Sequence, residues 1–166
     1  MAMTMVYLAL GSNVGDSRQH IKQAAELLAT VLRDMKQAPV YLSKAVGYAD
    51  QPDFFNTAVR GLTELEPAAL LEQIKDIERQ VGRTPTFLHG PREIDIDIIF
   101  YGDTLLETDE LAIPHPGFRD RDFVLRPLLD LEPSLTDPRT GQTVASLLAK
   151  INSSQKSLIR QVDEEA

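Results

Sequence analysis

Residues 93–100 alternate acidic and apolar side chains, and this pattern constrains the fold more than any other part of the chain. The sequence of the stretch is EIDIDIIF. Because successive side chains of a strand point to opposite faces, the alternation predicts an apolar face of Ile94, Ile96, Ile98 and Phe100 and an acidic face of Glu93, Asp95 and Asp97. β-branched residues suit a half-buried pleated surface. We therefore expect the apolar face to pack on helices and the carboxylates to lie on the other side of the sheet.

The two aspartates of this strand are close enough to share a cation. Two residues apart on a strand, Asp95 and Asp97 would have Cα atoms roughly 6.5–7 Å apart. Carboxylates that near repel each other unless a cation lies between them, and Mg²⁺ binds carboxylate oxygens together with substrate phosphates. A pair of metal ions about 3.5–4 Å apart would also fit there and hold a transferring phosphoryl group. A solvated strand face is the alternative interpretation. However, the turn Gly90-Pro91-Arg92 places a guanidinium directly before the strand, which favours a metal and phosphate site.

Length and composition predict one globular domain. The chain has 166 residues, 43% of them hydrophobic and 25% charged, which is enough to bury a core. We expect a single domain over residues 1–166, with a frayed tail from about residue 152. The absence of cysteine excludes disulfides, zinc–thiolate sites and cysteine nucleophiles.

The net charge and the distribution of basic residues indicate what kind of partner the protein binds. A net charge of −8 disfavours non-specific binding to nucleic acid or to anionic membranes. The basic residues that share the half of the chain around Asp95 instead suggest a phosphorylated small ligand; they are Lys75, Arg79, Arg83, Arg92, Arg119, Arg121 and Arg126. The first residues lack the pattern of a secretory leader, and no run reaches about 18 apolar residues. We therefore expect a cytoplasmic monomer that binds small molecules, without nucleic acid or membrane.

Hydrophobic periodicity predicts a β-α-β-β-α-β order. Strands are expected over 5–10, 39–45, 54–62 and 93–100, and helices over 18–35 and from Glu66-Pro67 to Val81, where Gly82 would end the helix. A hairpin over 105–113, a helix within 118–131 with Pro127 near its start, and a helix over 144–151 follow. This order is typical of the α+β, ferredoxin-like fold, an antiparallel-dominated sheet with two helices on one face, here with a C-terminal helical and hairpin appendage. The uncovered face would then present Phe54, Asn56, Asp95 and Asp97.

Four stretches match one known family in order and spacing, over about residues 5–130. They are residues 8–13 (LALGSN), 50–56 (DQPDFFN), 90–97 (GPREIDID) and 113–116 (IPHP), with Arg121 and Phe123 beyond. On these motifs the chain resembles the 6-hydroxymethyl-7,8-dihydropterin pyrophosphokinases of folate biosynthesis.

The resemblance implies a reaction and its ligands. The family transfers pyrophosphate from ATP to the hydroxymethyl oxygen of the pterin and releases AMP. Asp95 and Asp97 would bind two Mg²⁺ ions, and Arg92 and Arg121 would complete the catalytic set. The metals would neutralise charge around the β-phosphorus, which suits a reaction that depends on positioning and electrostatics.

The resemblance also implies two sets of binding residues. For the pterin, Phe54 and Phe123 would stack on the ring, Asn56 would bind its polar edge, and backbone near Ser43 and Val46 would complete the contact. For the nucleotide, the matching positions are Lys75, Glu78, Arg92, Ile98, His115 and Arg121. Without the resemblance, the two phenylalanines would be assigned to the core, and Lys75 and Glu78 to a solvated helix face.

The chain also departs from the family pattern. Many members carry a tryptophan just before Gly-Pro-Arg, where this chain has His89, and it contains no tryptophan. Ser43-Lys44-Ala45 replaces a Thr-x-Pro, and Glu110 and Ala112 stand where some members have an arginine and a threonine. Two rivals remain at this point: a ferredoxin-like module that binds a metabolite without catalysis, and another metal-dependent nucleotidyl transferase.

Overall fold

The structure, a computed structural model, describes residues 2–48 and 50–162. Its strands are β1 (Thr4–Ser12), β2 (Arg33–Gln37), β3 (Tyr41–Ser43), β4 (Phe54–Thr63), β5 (Asp95–Tyr101), β6 (Leu106–Glu107), β7 (Ala112–Ile113) and β8 (Leu158–Gln161). Its α-helices are α1 (Ser17–Leu28), α2 (Pro67–Val81), α3 (Asp122–Leu131) and α4 (Val144–Ala149), with a 3-10 turn at Phe118–Asp120. The main sheet runs β5-β1-β4-β3-β8, with β2 also paired to β4. Every pair within it is antiparallel, which confirms the predicted ferredoxin-like arrangement.

One face of the sheet packs on α1 and α2. The core there joins Leu8 of β1 and Ile96 of β5 to Ile21 of α1 and Ile74 of α2, all nearly inaccessible to solvent. Pro67 occupies the first turn of α2, and Gly82 ends the helix with φ 114°, a left-handed value that glycine adopts without a Cβ clash. Both helix-end predictions are thus confirmed.

The appendage covers part of the opposite face. Helices α3 and α4 pack Leu125 and Leu147 against Ala58 of β4 and Phe100 of β5. The hairpin predicted before α3 is present as β6 and β7. The part of this face that stays open lies beside the start of β4 and the start of β5. Within the described range, no helix has the length and apolarity needed to cross a membrane.

The first helix is shorter than predicted. It ends at Leu28, whereas the apolar spacing predicted a helix to residue 35. The chain instead turns and forms β2, which pairs with β4. Leu32 is still buried, because the bend that leads into β2 also directs it onto the sheet, where its Cβ lies 2.8 Å from the position a Cβ on Gly61 would take.

A bulge in β5 changes the face of one predicted core residue. Leu8 pairs with Ile98 and its neighbour Tyr7 pairs with Phe100, so Ile99 is an extra residue in the strand. The prediction that Phe100 shares a face with Ile98 is therefore wrong. The Phe100 ring packs edge-on against Phe118, with centroids 5.1 Å apart, on the side of α3 and α4.

The C-terminal segment is ordered into the sheet where fraying was predicted. Residues Leu158–Gln161 form β8 and pair with β3, so the expectation of a frayed tail from residue 152 is wrong for this segment. Backbone hydrogen bonds to β3 and to a buried carboxylate hold it. The acidic end, residues 163–166, lies outside the described residues. Pro127 also differs from expectation, since it lies inside α3 rather than near its start.

Candidate active site

The open part of the second sheet face forms a cleft of about 680 Å³. Most of the predicted site residues line it. They are Ser43, Val46, Phe54, Asn56, Arg92, Asp95, Asp97, Arg121 and Phe123. Six further lining residues were not among the predicted site residues: Ala9, Leu10, Gly11, Lys44, His89 and Val124.

The two aspartates face the cleft from β5, as the alternation predicted. They pair with Gly11 and Ala9 of the neighbouring strand β1, so small residues lie beside both carboxylates. The Asp95 carboxylate has two guanidinium partners, Arg83 Nη1 and Arg92 Nη1, each 3.4 Å away. Its negative charge is thus partly balanced by the protein itself.

Among the described residues, the Asp97 carboxylate has no comparable pair of guanidinium partners. Burial, together with the negative charge of Asp95, raises the pKa of Asp97 from 3.8 to about 8, against a smaller opposing effect of Arg121. A carboxylate in that situation favours a bound cation or a proton. Two hard oxygen donors aimed into one cleft fit Mg²⁺. No group of three or more acidic, histidine or cysteine side chains is placed to hold a metal in the part of the chain described, so water and a phosphorylated substrate would have to supply further ligands.

Arg92 is held by a residue that sequence reasoning did not assign to the site. The side-chain oxygen of Asn13 accepts the Arg92 N–H at 2.9 Å, and the Asn13 N–H donates to the Arg92 carbonyl at 3.1 Å. The Asn13 amide group also donates to Gln51 at 2.8 Å and to the Pro52 carbonyl at 3.0 Å. Asn13 therefore joins three segments far apart in sequence. The available signal was its place in the family motif LALGSN, which periodicity alone presents as a turn.

Two loops meet over the cleft. The Gln51 amide donates to the carbonyl of Tyr48 at 2.6 Å and to that of His89 at 2.8 Å. The Tyr48 and Phe87 rings meet edge-on with centroids 4.9 Å apart. Gly47 is required at this crossing, because a Cβ there would lie 2.7 Å from His89 Cγ. His89 thus occupies the loop junction next to the cleft.

His115 and Arg121 approach the acidic pair from the loop before α3. His115 Nε2 lies 3.9 Å from an Asp97 oxygen, and its Nδ1 accepts the Gly117 N–H at 3.2 Å. Burial, with the nearby Arg121 charge, lowers the pKa of His115. The ring is therefore neutral at neutral pH, with its proton on Nε2 facing Asp97. Gly117 leaves room for Arg121, because a Cβ at Gly117 would lie 3.0 Å from Arg121 Cζ.

At the other end of the cleft, the predicted pterin residues lie together. Phe54 and Phe123 line it from β4 and α3. The Asn56 amide nitrogen donates to Ser43 Oγ at 2.7 Å and, more weakly, to the carbonyls of Phe54 and Tyr41 at 3.3 and 3.4 Å. These bonds fix the orientation of the Asn56 amide and leave its side-chain oxygen to accept a hydrogen bond from a ligand.

The predicted nucleotide residues are only partly brought together. Arg92, Arg121 and His115 surround the carboxylates, but the Lys75 side chain is exposed on α2. Glu78 is buried and accepts the Ile96 N–H at 2.8 Å and an Arg83 N–H at 3.1 Å. The Ile98 side chain lies in the α1–α2 core, so only its main chain is available to a ligand.

Arg83 is a further residue that the sequence prediction omitted from the site. It bridges Glu78 and Asp95, and so connects the end of α2 to the acidic pair. Its position in the loop after α2 carried no periodic signal. Only the pattern of basic residues around Asp95 pointed to it.

Sequence comparisons identify related proteins. The profile of the family described as 7,8-dihydro-6-hydroxymethylpterin-pyrophosphokinase (HPPK) matches residues 7–133. The 2-amino-4-hydroxy-6-hydroxymethyldihydropteridine pyrophosphokinase of Aquifex aeolicus is 46% identical over 136 residues, which cover 82% of this chain and 85% of that protein. The folic acid synthesis protein fol1 of Schizosaccharomyces pombe is 40% identical over 90% of this chain, but the match spans only 21% of that longer protein.

Solved structures share the fold. A crystal structure of wild-type Plasmodium falciparum HPPK-DHPS superposes with a TM-score of 0.69 at 15% identity, over 90% of this chain and 45% of that one. At that identity the likeness concerns the fold alone. It agrees with the ferredoxin-like architecture described above.

Proposed function

Because the chain belongs to the 7,8-dihydro-6-hydroxymethylpterin-pyrophosphokinase family, we propose that this pyrophosphokinase of folate biosynthesis uses the cleft over β1, β4 and β5 as its active site. There it transfers pyrophosphate from ATP to the hydroxymethyl oxygen of 6-hydroxymethyl-7,8-dihydropterin and releases AMP. Two Mg²⁺ ions and ATP are the required cofactor and co-substrate. The observation that supports this assignment is that the acidic pair and the two phenylalanines line one cleft.

The carboxylates provide the metal site. Asp95 and Asp97 present oxygen atoms to the same space, and burial together with the charge of Asp95 raises the pKa of Asp97, so that a positive charge is favoured there. Bound Mg²⁺ ions would supply that charge and neutralise the negative charge of the triphosphate during transfer. Ala9 and Gly11, beside the carboxylates on β1, leave space for the phosphates.

The cationic and polar side chains orient the transferring group. Arg92 and Arg121 line the cleft and offer fork-shaped donor sets that fit phosphate oxygens. His115, neutral and with its proton on Nε2, would donate one hydrogen bond from beside Asp97. No protein nucleophile is needed, since positioning and charge stabilisation account for most of the catalysis of phosphoryl transfer. Lys75 and the main chain of Ile98 remain proposed nucleotide contacts. Glu78 acts indirectly, because its carboxylate accepts hydrogen bonds from Arg83 and from the Ile96 N–H.

The aromatic end of the cleft binds the pterin. Phe54 and Phe123 would stack on the two faces of the ring, which adds stabilisation beyond burial. Asn56, oriented by Ser43, would accept a hydrogen bond from the edge of the ring. Val46, in the loop that crosses to His89, would pack at the mouth.

The test is AMP release from ATP and Mg²⁺ with and without the reduced pterin. We expect AMP only when the pterin is present, and a loss of turnover of more than about tenfold in Asp95→Ala and Asp97→Ala, because groups that stabilise developing charge usually contribute at least that much. Pterin binding should persist in both variants. ADP or free pyrophosphate as the product would indicate another transferase. Ligand binding without turnover would indicate a regulatory module.

We also propose that the enzyme acts as a monomer in the cytoplasm, on small molecules only. In support, the net charge of −8 disfavours nucleic acid and anionic membranes as partners. Light scattering at micromolar concentration tests the monomer. Cell fractionation tests the location.

A further inference from the structure

The segment that leads into β8 reaches the aromatic end of the cleft. The Ser157 N–H donates to both oxygens of Asp122, at 3.0 and 3.2 Å, while the Ser157 carbonyl accepts the Lys44 N–H at 2.8 Å. The Leu158 N–H also donates to Asp122, at 3.0 Å. One peptide segment is therefore bonded both to the end of β3 and to the start of α3.

These two elements carry opposite walls of the cleft. On one side, Lys44 follows Ser43, whose hydroxyl accepts the hydrogen bond that orients Asn56. On the other side, Asp122 begins α3 and stands between Arg121 and Phe123. All of these residues except Asp122 line the cleft. The C-terminal segment therefore links the two walls through Asp122, in addition to the direct contact between β3 and α3, in which the Tyr41 hydroxyl donates to Asp130 and accepts from Arg126.

The burial and the hydrogen bonds of Asp122 suit it to hold the C-terminal segment. Its side chain is only 4% exposed, and a buried carboxylate is costly unless donors surround it. Hydrogen bonds to an ionised acceptor are among the stronger ones, and here both donors come from the backbone of the C-terminal segment. The carboxylate therefore holds the segment in one register against the start of α3.

We propose that Asp122 is a positioning residue for the pterin, which acts through the C-terminal segment 157–161 to set the gap between Phe123 and the Ser43–Asn56 wall. The proposal rests on the proposed function, because it takes the pterin as the ligand of that gap. Asp122 itself does not touch the substrate. Its effect should therefore fall on pterin affinity and leave the nucleotide end of the cleft unchanged.

The test compares Asp122→Asn with Asp120→Asn. The first variant keeps the size of the side chain but turns one acceptor into an NH₂ group facing the N–H groups of Ser157 and Leu158. The second removes the same charge from an exposed neighbour.

Pterin binding is measured by its fluorescence, with and without a non-hydrolysable ATP analogue, and KM is measured for both substrates. For Asp122→Asn we expect Kd and KM for the pterin to rise about tenfold, as for a misplaced binding group, with KM for ATP and kcat within twofold of wild type. Asp120→Asn should match wild type.

A purely structural role for Asp122 predicts another outcome. Equal weakening of pterin and ATP binding, or a variant identical to Asp120→Asn, would overturn the proposal. If wild-type protein binds no pterin, the proposed function fails instead, and the two failures are therefore distinguishable.

A measurement on the wild-type chain covers the case in which Asp122→Asn does not fold. Coupling between two sites is reciprocal, so pterin binding must stabilise the Asp122–segment contact. We expect the amide hydrogens of Ser157 and Leu158 to exchange at least about tenfold more slowly when the pterin is bound. Unchanged exchange of both amides in the bound state would also overturn the proposal.

Discussion

Replacing Asp97 by asparagine should stabilise the metal-free protein while abolishing its activity. In the folded chain, burial and the charge of Asp95 raise the pKa of Asp97 from 3.8 to about 8. Between about pH 4 and pH 8 the folded state therefore binds a proton that the unfolded chain has released. Stability then falls as the pH rises through this window, because the native state binds more protons than the unfolded state. Asp97→Asn removes this pH-dependent cost.

The size of the effect follows from the pKa and the exposure. A rise from 3.8 to about 8 would correspond, without screening, to roughly 5–6 kcal/mol at pH 8. The Asp97 side chain is 32% exposed, so water screens much of this penalty, and we expect about 1–2 kcal/mol. For a chain of this length, that raises the melting temperature by roughly 3–8 °C. Near pH 4 the gain should be small, since Asp97 is protonated in the folded state and about half protonated in the unfolded chain.

The assay is thermal unfolding in EDTA from pH 4 to pH 8.5. Asp103→Asn, which removes a carboxylate from an exposed turn, is the matched control and should change the melting temperature little at any pH. Mg²⁺ with an ATP analogue should then stabilise the wild type more than Asp97→Asn, because the variant has lost a metal ligand. A variant that is destabilised, or whose gain is the same at pH 4 and pH 8, would refute this account of Asp97.

Three further variants test separate parts of the cleft. Phe123→Ala should raise the pterin Kd by about 10- to 100-fold through loss of stacking, with the nucleotide Kd within threefold; equal losses for both ligands in fluorescence and calorimetry would contradict this. Asn13→Ala should lower kcat/KM by about tenfold or more, because the Arg92 backbone loses the side-chain hydrogen bond that helps to place it, and steady-state kinetics at wild-type values would exclude that role. Gly117→Ala should displace the Arg121 guanidinium, which a new Cβ would approach to 3.0 Å, and raise KM for ATP more than KM for the pterin. The opposite ranking would show that Arg121 does not contact the nucleotide.

The acidic pair was predictable because a strand has a period of two. Once residues 94–98 are extended, Asp95 and Asp97 must share a face, and the structure confirms it. The same rule failed at Phe100, because the extra residue Ile99 is accommodated by a bulge opposite β1. Nothing in the local sequence marks that bulge. It forms because the Phe100 ring gains partners on the second face, Tyr7 and Phe118, at centroid distances of 6.2 and 5.1 Å.

The end of α1 shows a different limit. Leu32 and Met35 fit the helical stripe of α1, but they also contact the same core from the bend before β2 and from β2 itself. Apolar spacing therefore could not decide between the two. Pairing of β2 with β4 satisfies backbone groups along β4, and this long-range gain has no local signature.

Residues that hold the site were harder to predict than residues that line it. Asn13 bonds to Arg92, 79 positions away, and Asp122 bonds to Ser157, 35 positions away. Short polar side chains at the ends of elements normally indicate turns and caps, and their true partners are known only when the fold is known. The family motif singled out the stretch that contains Asn13, but not its role.

The bulge at Ile99 explains how one strand serves both a core and an active site. Before the bulge, β5 directs Asp95 and Asp97 into the open cleft. After it, Ile99 and Phe100 both contribute to the cluster under α3 and α4. In a regular strand Phe100 would enter the α1–α2 core and leave the Phe118 ring without its neighbour. Because α3 also carries Phe123, the packing of Phe100 under α3 contributes to where Phe123 stands relative to the two carboxylates, although neither Ile99 nor Phe100 lines the cleft.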